Sequence, residues 1–252
     1  MSGPRPGTDV PPVVEVDLGA GVRAGFSTRG GGVSRPPYDA LNLGYAVGDD
    51  PSAVERNRAG LERWAGAPVA YATQVHGSRV VVLAEPPATG TTSVGEADAL
   101  VSVSPAVAVA VLVADCVPVL LADPATGWIA AVHSGRPGLA GGVVPAAVAA
   151  LHERGGDPTV AWIGPHVCGA CYEVPADLQE QVASVVPEAR STTSWGTPGL
   201  DLGAGVRAQL AAAGIDDVRT VDACTREDAS WPSYRRDGDA ATRFAGVIWS
   251  HR

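Results

Sequence analysis

The chain has 252 residues, 46% of them hydrophobic and 18% charged, which describes a globular protein with a substantial buried core rather than a disordered one. All 18 basic residues are Arg; the absence of Lys excludes Schiff-base chemistry on a lysine and a Walker-type phosphate loop. With 27 acidic residues the net charge is −9, which argues against nucleic acid or an anionic membrane as a partner attracted by overall charge.

The opening M-S-G-P-R-P-G-T-D-V-P-P lacks an apolar h-region. The longest unbroken apolar run, Ala106–Ala114, is too short to span a bilayer. With four Cys and no leader, the expectation is a cytoplasmic protein with reduced thiols. Residues 1–12 are rich in Pro and Gly and read as a disordered tail, leaving 13–252 as one catalytic domain.

Val13–Leu18 and Val22–Thr28 alternate as strands, the second running into Gly30–Gly32. Asp50-Pro51 opens a helix, with a capping Asp and a Pro in the first turn. Val54, Leu61 and Trp64 share one face of it, and Gly66 stops it. Val69–Thr73, Val80–Leu83, Ala99–Val103, Val107–Ala114, Val117–Ala122 and Trp128–Val132 are short strand-like runs punctuated by Gly, Pro and Asp. Those around Cys116 are apolar on both faces, as in central strands covered on both sides. Gly142–Arg154 reads as a helix, Val160–Ile163 as a strand, and Ala176–Val186 and Leu202–Ala213 as helices. Strands follow near Val218–Val221 and Phe244–Trp249. With no repeat and no linker, the expected class is α+β: a single mixed α/β domain whose central mixed β-sheet core is covered by helices.

Three residues at the ends of these runs stand out: His76 in T-Q-V-H-G, Cys116 in A-D-C-V-P and His133 in A-V-H-S-G. Two imidazoles and a thiolate are a normal zinc set, and three protein ligands leave a position open for water or substrate. Their intervals, 40 and 17 residues, match no local metal motif, so each could instead be an isolated core or surface residue. Small or turn-forming neighbours around all three allow their backbones to converge. Asp115, beside the Cys, could orient a ligand or act as a general acid or base.

Other polar residues carry weaker signals. Arg29 with Gly30–Gly32 could cradle an anion or form a plain turn. Arg235-Arg236 could grip phosphate bidentately or be a solvated pair. Cys168-Gly169-Ala170-Cys171 invites a redox or metal reading, but no second C-x-x-C or His pair completes it, which favours two incidental thiols in a turn. Cys224 reads as a packed core thiol, and His152 and His251 as surface residues.

From Gly25 onward the chain resembles the YfiH-type family, called multicopper polyphenol oxidoreductase or laccase-domain proteins and also described as purine nucleoside phosphorylases. The resemblance rests on ordered blocks: F-S-T-R-G-G-G-V-S at Phe26–Ser34, Y-D-A-L-N-L-G at Tyr38–Gly44, then T-Q-V-H-G, A-D-A-L-V-S, A-D-C-V-P-V-L-L-A-D-P and A-V-H-S-G. I-G-P-H, Y-E-V, C-T at Cys224-Thr225, S-Y-R-R-D-G and R-F-A-G-V-I-W follow. It implies a YfiH-like layered sandwich and a metal site on His76, Cys116 and His133, holding Zn2+ or, on the older label, Cu2+. It further implies phosphorolysis of purine nucleosides (adenosine, guanosine or inosine, and methylthioadenosine) by inorganic phosphate, with adenosine deamination beside it.

Within these motifs Asn42 and Gln74 are candidate purine contacts. Where the family pattern has G-W-R-G after the last ligand, this chain has Gly135-Arg136-Pro137-Gly138, so that Arg136 stands one place early. Zinc accounts readily for deamination, in which an activated water attacks C6 of the base. Copper oxidation of phenols is opposed by composition: five His cannot supply a multinuclear cluster, and the single Met is Met1. A third reading makes Cys116 a thiolate nucleophile in an amide hydrolase linked to peptidoglycan editing, with His76 or His133 as base. A binding module with structural zinc is weakened by the missing fourth ligand.

Overall fold

The runs that are apolar on both faces become inner strands of two stacked sheets in the computed structural model, which describes residues 10–252. In chain order the strands are β1 (Val13–Val16), β2 (Val22–Ser27), β3 (Val69–Ala70), β4 (Val80–Leu83), β5 (Ala99–Ser102), β6 (Ala108–Val113), β7 (Val117–Asp123), β8 (Trp128–Ser134), β9 (Val160–Ile163), β10 (Arg190–Thr192), β11 (Pro198–Leu200), β12 (Asp217–Thr220) and β13 (Phe244–Ser250). The helices are α1 (Pro51–Ala65), α2 (Arg136–Ala140), α3 (Val143–His152), α4 (Ala176–Ala183), α5 (Leu202–Ala212) and α6 (Tyr234–Asp237).

One sheet runs β1-β2-β13-β6-β3, the other β12-β9-β7-β8-β5-β4, and β10-β11 form a separate hairpin. Both large sheets are mixed: β3 joins β6 in parallel while β13 joins β6 antiparallel, and β4–β5 is parallel while β5–β8 is antiparallel.

Strand periodicity explains the layering. Val109, Val111 and Val113 of β6 meet Leu120 and Ala122 of β7 between the sheets, with Phe26 and Phe244. The alternate residues Ala108 and Ala110 face Leu61 and Trp64 of α1. On the far side, Val119 and Leu121 of β7 pack beneath Leu139, Val144, Leu151 and Val206 of the helices. The order is therefore helix, sheet, sheet, helix, and β6 and β7 read as apolar throughout because both of their faces are covered.

Helix α1 begins and ends as its sequence predicts. Asp50 accepts from the Ser52 amide, Pro51 occupies the first turn, and Gly66 closes the helix in the left-handed region at φ 83°. Most other expected elements appear within a residue or two of their predicted ends. Strand β3 is shorter, because after Ala70 the chain turns away and pairs at Thr73 with Glu96 instead. Helices α2 and α6 and the β10-β11 hairpin are additions to the expected list. Of the expected tail, residues 1–9 lie outside the described residues, and the Pro12 carbonyl accepts from the Thr28 amide at 3.2 Å. No helix among the described residues is long and apolar enough to cross a membrane.

Candidate metal centre

His76 lies in the connection from β3 to β4, Cys116 in the tight turn from β6 to β7, and His133 near the end of β8. One nitrogen of each imidazole and the Cys116 sulfur all fall within 4.8 Å of one another. Cys116 Sγ is 3.8 Å from His76 Nε2, and the two imidazole rings stand edge to face at 4.8 Å. Two non-glycine residues with positive φ are recorded among the described residues, and both are here: His76 at 60° and Asp115 at 85°. Such backbone is costly for a side-chain-bearing residue and persists only where its surroundings impose it.

For His76 that imposing group is Asp98, which also holds the His133 side chain. Its fully buried carboxylate accepts the amides of Val75 (3.2 Å), His76 (2.9 Å) and Gly77 (2.7 Å), which holds the strained turn. It also accepts Nδ1–H of His133 at 2.8 Å. That bond holds Nδ1 and leaves Nε2 as the nitrogen able to ligate a metal. Burial pushes the Asp98 carboxyl up, but the bonds from His133 and the turn amides outweigh it and keep the group below the usual carboxylate range.

Cys116 and His133 shift in opposite directions. Burial opposes charge on both, yet their mutual attraction and the bonds to His76 and Asp98 prevail. The thiol is drawn down to about 6 and the imidazole up to about 9. Without a cation the pair is thus a thiolate beside an imidazolium; with one, the same thiolate is ready to ligate. Gly135 leaves room for this packing, since a Cβ there would stand 2.7 Å from the His76 ring and 3.1 Å from Cys116 Sγ.

Asp115 ties the site to the C-terminal segment. Its Oδ1 accepts from the Thr225 hydroxyl and its Oδ2 from the Arg235 amide, both at 2.6 Å. With both oxygens engaged, its geometry suits orientation better than proton transfer. The Arg235 guanidinium lies over the Tyr172 ring at 4.5 Å and donates to the Glu173 carbonyl. Arg136, the first residue of α2, is half-buried within electrostatic reach of Tyr172, and its guanidinium makes no hydrogen bond or ion pair with another described residue.

The other expected substrate contacts are spent inside the fold. Arg236 donates to the carbonyls of Thr225 (2.6 Å) and Trp231 (2.8 Å) and pairs with Asp237, which makes it a latch for the 225–231 loop. Asn42 is fully buried and bonds Gly44, Asp49 and Arg243. Gln74 exchanges two 2.8 Å bonds with the Leu112 backbone, as a neighbouring strand would. Arg29 pairs with Asp237 at 3.1 Å and lines, with Thr28, Gly30, Asp39 and Ser230, a cleft of about 430 Å³ that includes none of the three donors. Of the neighbouring glycines, Gly32 serves close packing, since a Cβ on it would collide with the Ala40 carbonyl at 2.2 Å, whereas a Cβ on Gly30 would meet nothing within 4 Å.

Two residues near the donors carried no assigned role in the sequence reading. Asp98 is one, and its signal was a lone acid entering the buried run Ala97–Val101. Arg243 is the other: burial lowers its basicity, and Cys116 and Asp115 act electrostatically in the opposite sense.

Residues 23–251 match the family model described as multi-copper polyphenol oxidoreductase laccase. A purine nucleoside phosphorylase of Streptomyces coelicolor is 52% identical over 234 residues, covering 91% of this chain and 96% of its own. The purine nucleoside phosphorylase YfiH of Shigella flexneri is 37% identical over 239 residues, covering 92% and 95%. Among solved structures, protein NMB0706 of Neisseria meningitidis superposes with a TM-score of 0.85 at 37% identity, over 95% of this chain and 99% of that one. The hypothetical protein YfiH of Bacillus licheniformis gives 0.88 at 28% identity, over 96% and 97%.

Proposed function

The chain belongs to the multi-copper polyphenol oxidoreductase laccase family, the YfiH-type proteins, and we propose that it is a zinc-dependent purine nucleoside phosphorylase. On this reading it cleaves adenosine, inosine, guanosine or methylthioadenosine with inorganic phosphate, releasing the base and a pentose 1-phosphate, and also deaminates adenosine. The observation that carries the proposal is the three-donor set of His76, Cys116 and His133, with one imidazole fixed by buried Asp98. The relatives named purine nucleoside phosphorylase support the substrate class.

The donors fit zinc: one soft thiolate, two imidazoles, and no fourth His, Cys, Asp or Glu in the group among the described residues. Bound there, a zinc ion supplies a Lewis acid and a means of activating water at neutral pH. Cys116 supplies the thiolate, His133 presents Nε2, and Asp98 keeps both histidines in place. We assign phosphate binding to Arg136, whose unpaired guanidinium acts on the same Tyr172 that Arg235 covers. Asp115 sets the position of Arg235 through its backbone amide.

Copper is the weaker reading of the same donors. His166 bonds the Gly164 carbonyl, while His152 and His251 are exposed, so only two imidazoles reach the centre and no multinuclear cluster can form. We read the protein as cytoplasmic, a setting in which its four free cysteines stay reduced.

The deciding experiment measures metal content of the purified protein, then base release from adenosine with phosphate before and after chelation, with Cys116→Ala alongside. One zinc at this site and chelator-sensitive release of adenine are expected. Activity that survives complete metal removal but disappears in Cys116→Ala would favour the thiol hydrolase, whose thiolate–imidazolium pair is present in the metal-free site. Arg136→Gln is expected to raise KM for phosphate about ten- to a hundredfold, the size of a lost charge-assisted bond. Arg29→Gln, removing a half-exposed pair with Asp237, should leave that KM nearly unchanged.

A further inference from the structure

A second constellation lies on the other side of Asp115. Cys168 and Cys171 occupy the loop between β9 and α4, while Cys224 and Glu227 follow β12. The three sulfurs and a Glu227 oxygen all lie within 4.8 Å of one another. The two segments have the same turn geometry. In the first, the amides of Cys171 and Tyr172 donate to the Cys168 carbonyl at 2.9 and 3.0 Å. In the second, the amides of Glu227 and Asp228 donate to the Cys224 carbonyl at 3.1 and 2.9 Å. C-x-x-C therefore faces C-x-x-E as one turn faces another, each presenting two donors.

The turns are locked together independently of these side chains. His166 and Cys224 form a parallel bridge, and the Thr225 amide donates to the His166 carbonyl at 3.0 Å. The Cys168 amide donates to Cys224 Sγ at 3.4 Å, and Cys171 Sγ donates to Glu227 Oε1 at 3.4 Å. All three cysteines are free thiols, and Cys171 is buried.

We propose that Cys168, Cys171, Cys224 and Glu227 form a second metal site, structural in character, for a thiophilic divalent cation of the zinc class. The donor chemistry selects this class: three thiolates and one carboxylate make a soft set that Mg2+ and Ca2+ do not favour. The number of donors fixes the role. Four protein ligands close a tetrahedral shell, whereas His76, Cys116 and His133 leave theirs open. A tetrahedral zinc with Zn–S of about 2.3 Å places sulfurs about 3.8 Å apart, so the sulfurs, now within 4.8 Å of one another, close by about an ångström at most. Binding displaces the three thiol protons to solvent.

The two turns also shape the rim of the first site. Cys171 precedes Tyr172, on which Arg235 stacks, and Cys224 precedes Thr225, whose hydroxyl holds Asp115 beside Cys116. A cation clamping both turns fixes Tyr172 and Asp115 relative to each other.

Metal counting separates the two sites without reference to turnover. In Cys116→Ala the new cluster is intact and no thiolate remains at the first site. Loaded with Co2+ and freed of excess metal, this variant is expected to keep one equivalent with intense near-ultraviolet thiolate-to-cobalt charge transfer. In the otherwise native chain, Cys168→Ser with Cys171→Ser is expected to lower bound zinc from two equivalents to one. Absence of the charge-transfer band in Cys116→Ala would overturn the proposal. So would the mass deficit of a disulfide among these three cysteines in the freshly purified protein. Zinc-dependent nucleoside cleavage with one equivalent bound would uphold the proposed function and reject this second site; two equivalents without cleavage would do the reverse.

Discussion

The two ends of the β7–β8 hairpin are each organised by one buried carboxylate, and each carboxylate accepts four recorded bonds. At the closed end Asp123, 3% exposed, takes the amides of Ala125, Thr126 and Asp157 and the hydroxyl of Thr126. At the open end Asp98, with no exposure, takes the amides of Val75, His76 and Gly77 and the imidazole of His133. Three amides and one side-chain donor serve both, so neither burial nor bond count distinguishes them. The fourth donor does. A threonine hydroxyl ends the network, whereas an imidazole passes the constraint on to its second nitrogen, which faces Cys116 and His76.

Substitution should separate the two ends. Asp98→Asn removes the acceptor that sets the His133 tautomer, and zinc affinity should fall about ten- to a hundredfold, read by competition with a chromophoric chelator. Undiminished affinity would break the comparison. Asp123→Asn should leave zinc affinity unchanged while costing about 1–3 kcal/mol of stability, or about 2–4 °C in Tm for each kcal/mol. Gly135→Ala forces a Cβ against His76 and Cys116, and should weaken zinc on the order of tenfold with little change in Tm.

The smallest effect is one of pH. Burial would raise the Asp123 carboxyl, but the bonds from Thr126, Asp157 and Ala125 keep it below the usual range. Its stabilisation is therefore fully present above about pH 3.9, the ordinary Asp value, and is lost as pH falls through the lower folded value. Denaturant midpoints of the native chain and Asp123→Asn should converge as pH drops below 4; a constant gap would count against this assignment.

The donor triplet was legible because Cys and His are scarce here and each stands beside small residues at the end of an apolar run. Layering was legible for a similar reason, since β6 and β7 carry no polar face. Asp98 escaped a role because its partners are three amides and a histidine 35 residues on, joined only by strand register. Arg236 looked like an anion ligand because nothing local shows that loop carbonyls consume its guanidinium. The C-x-x-C turn looked solitary because its complement lies more than fifty residues away and ends in a carboxylate rather than a thiol.

One feature of the first sheet bears on how the protein is made. Strand β13, last of the thirteen in chain order, lies between β2 and β6 rather than at an edge. During synthesis residues 22–27 and 108–113 therefore have no sheet partner between them until residues 244–250 have left the ribosome. Until that strand is made, two apolar strand edges stand open, the state most prone to pairing with another chain. This late-made strand acts as a keystone, and the nascent protein depends on its arrival before the half-built sheet finds another partner.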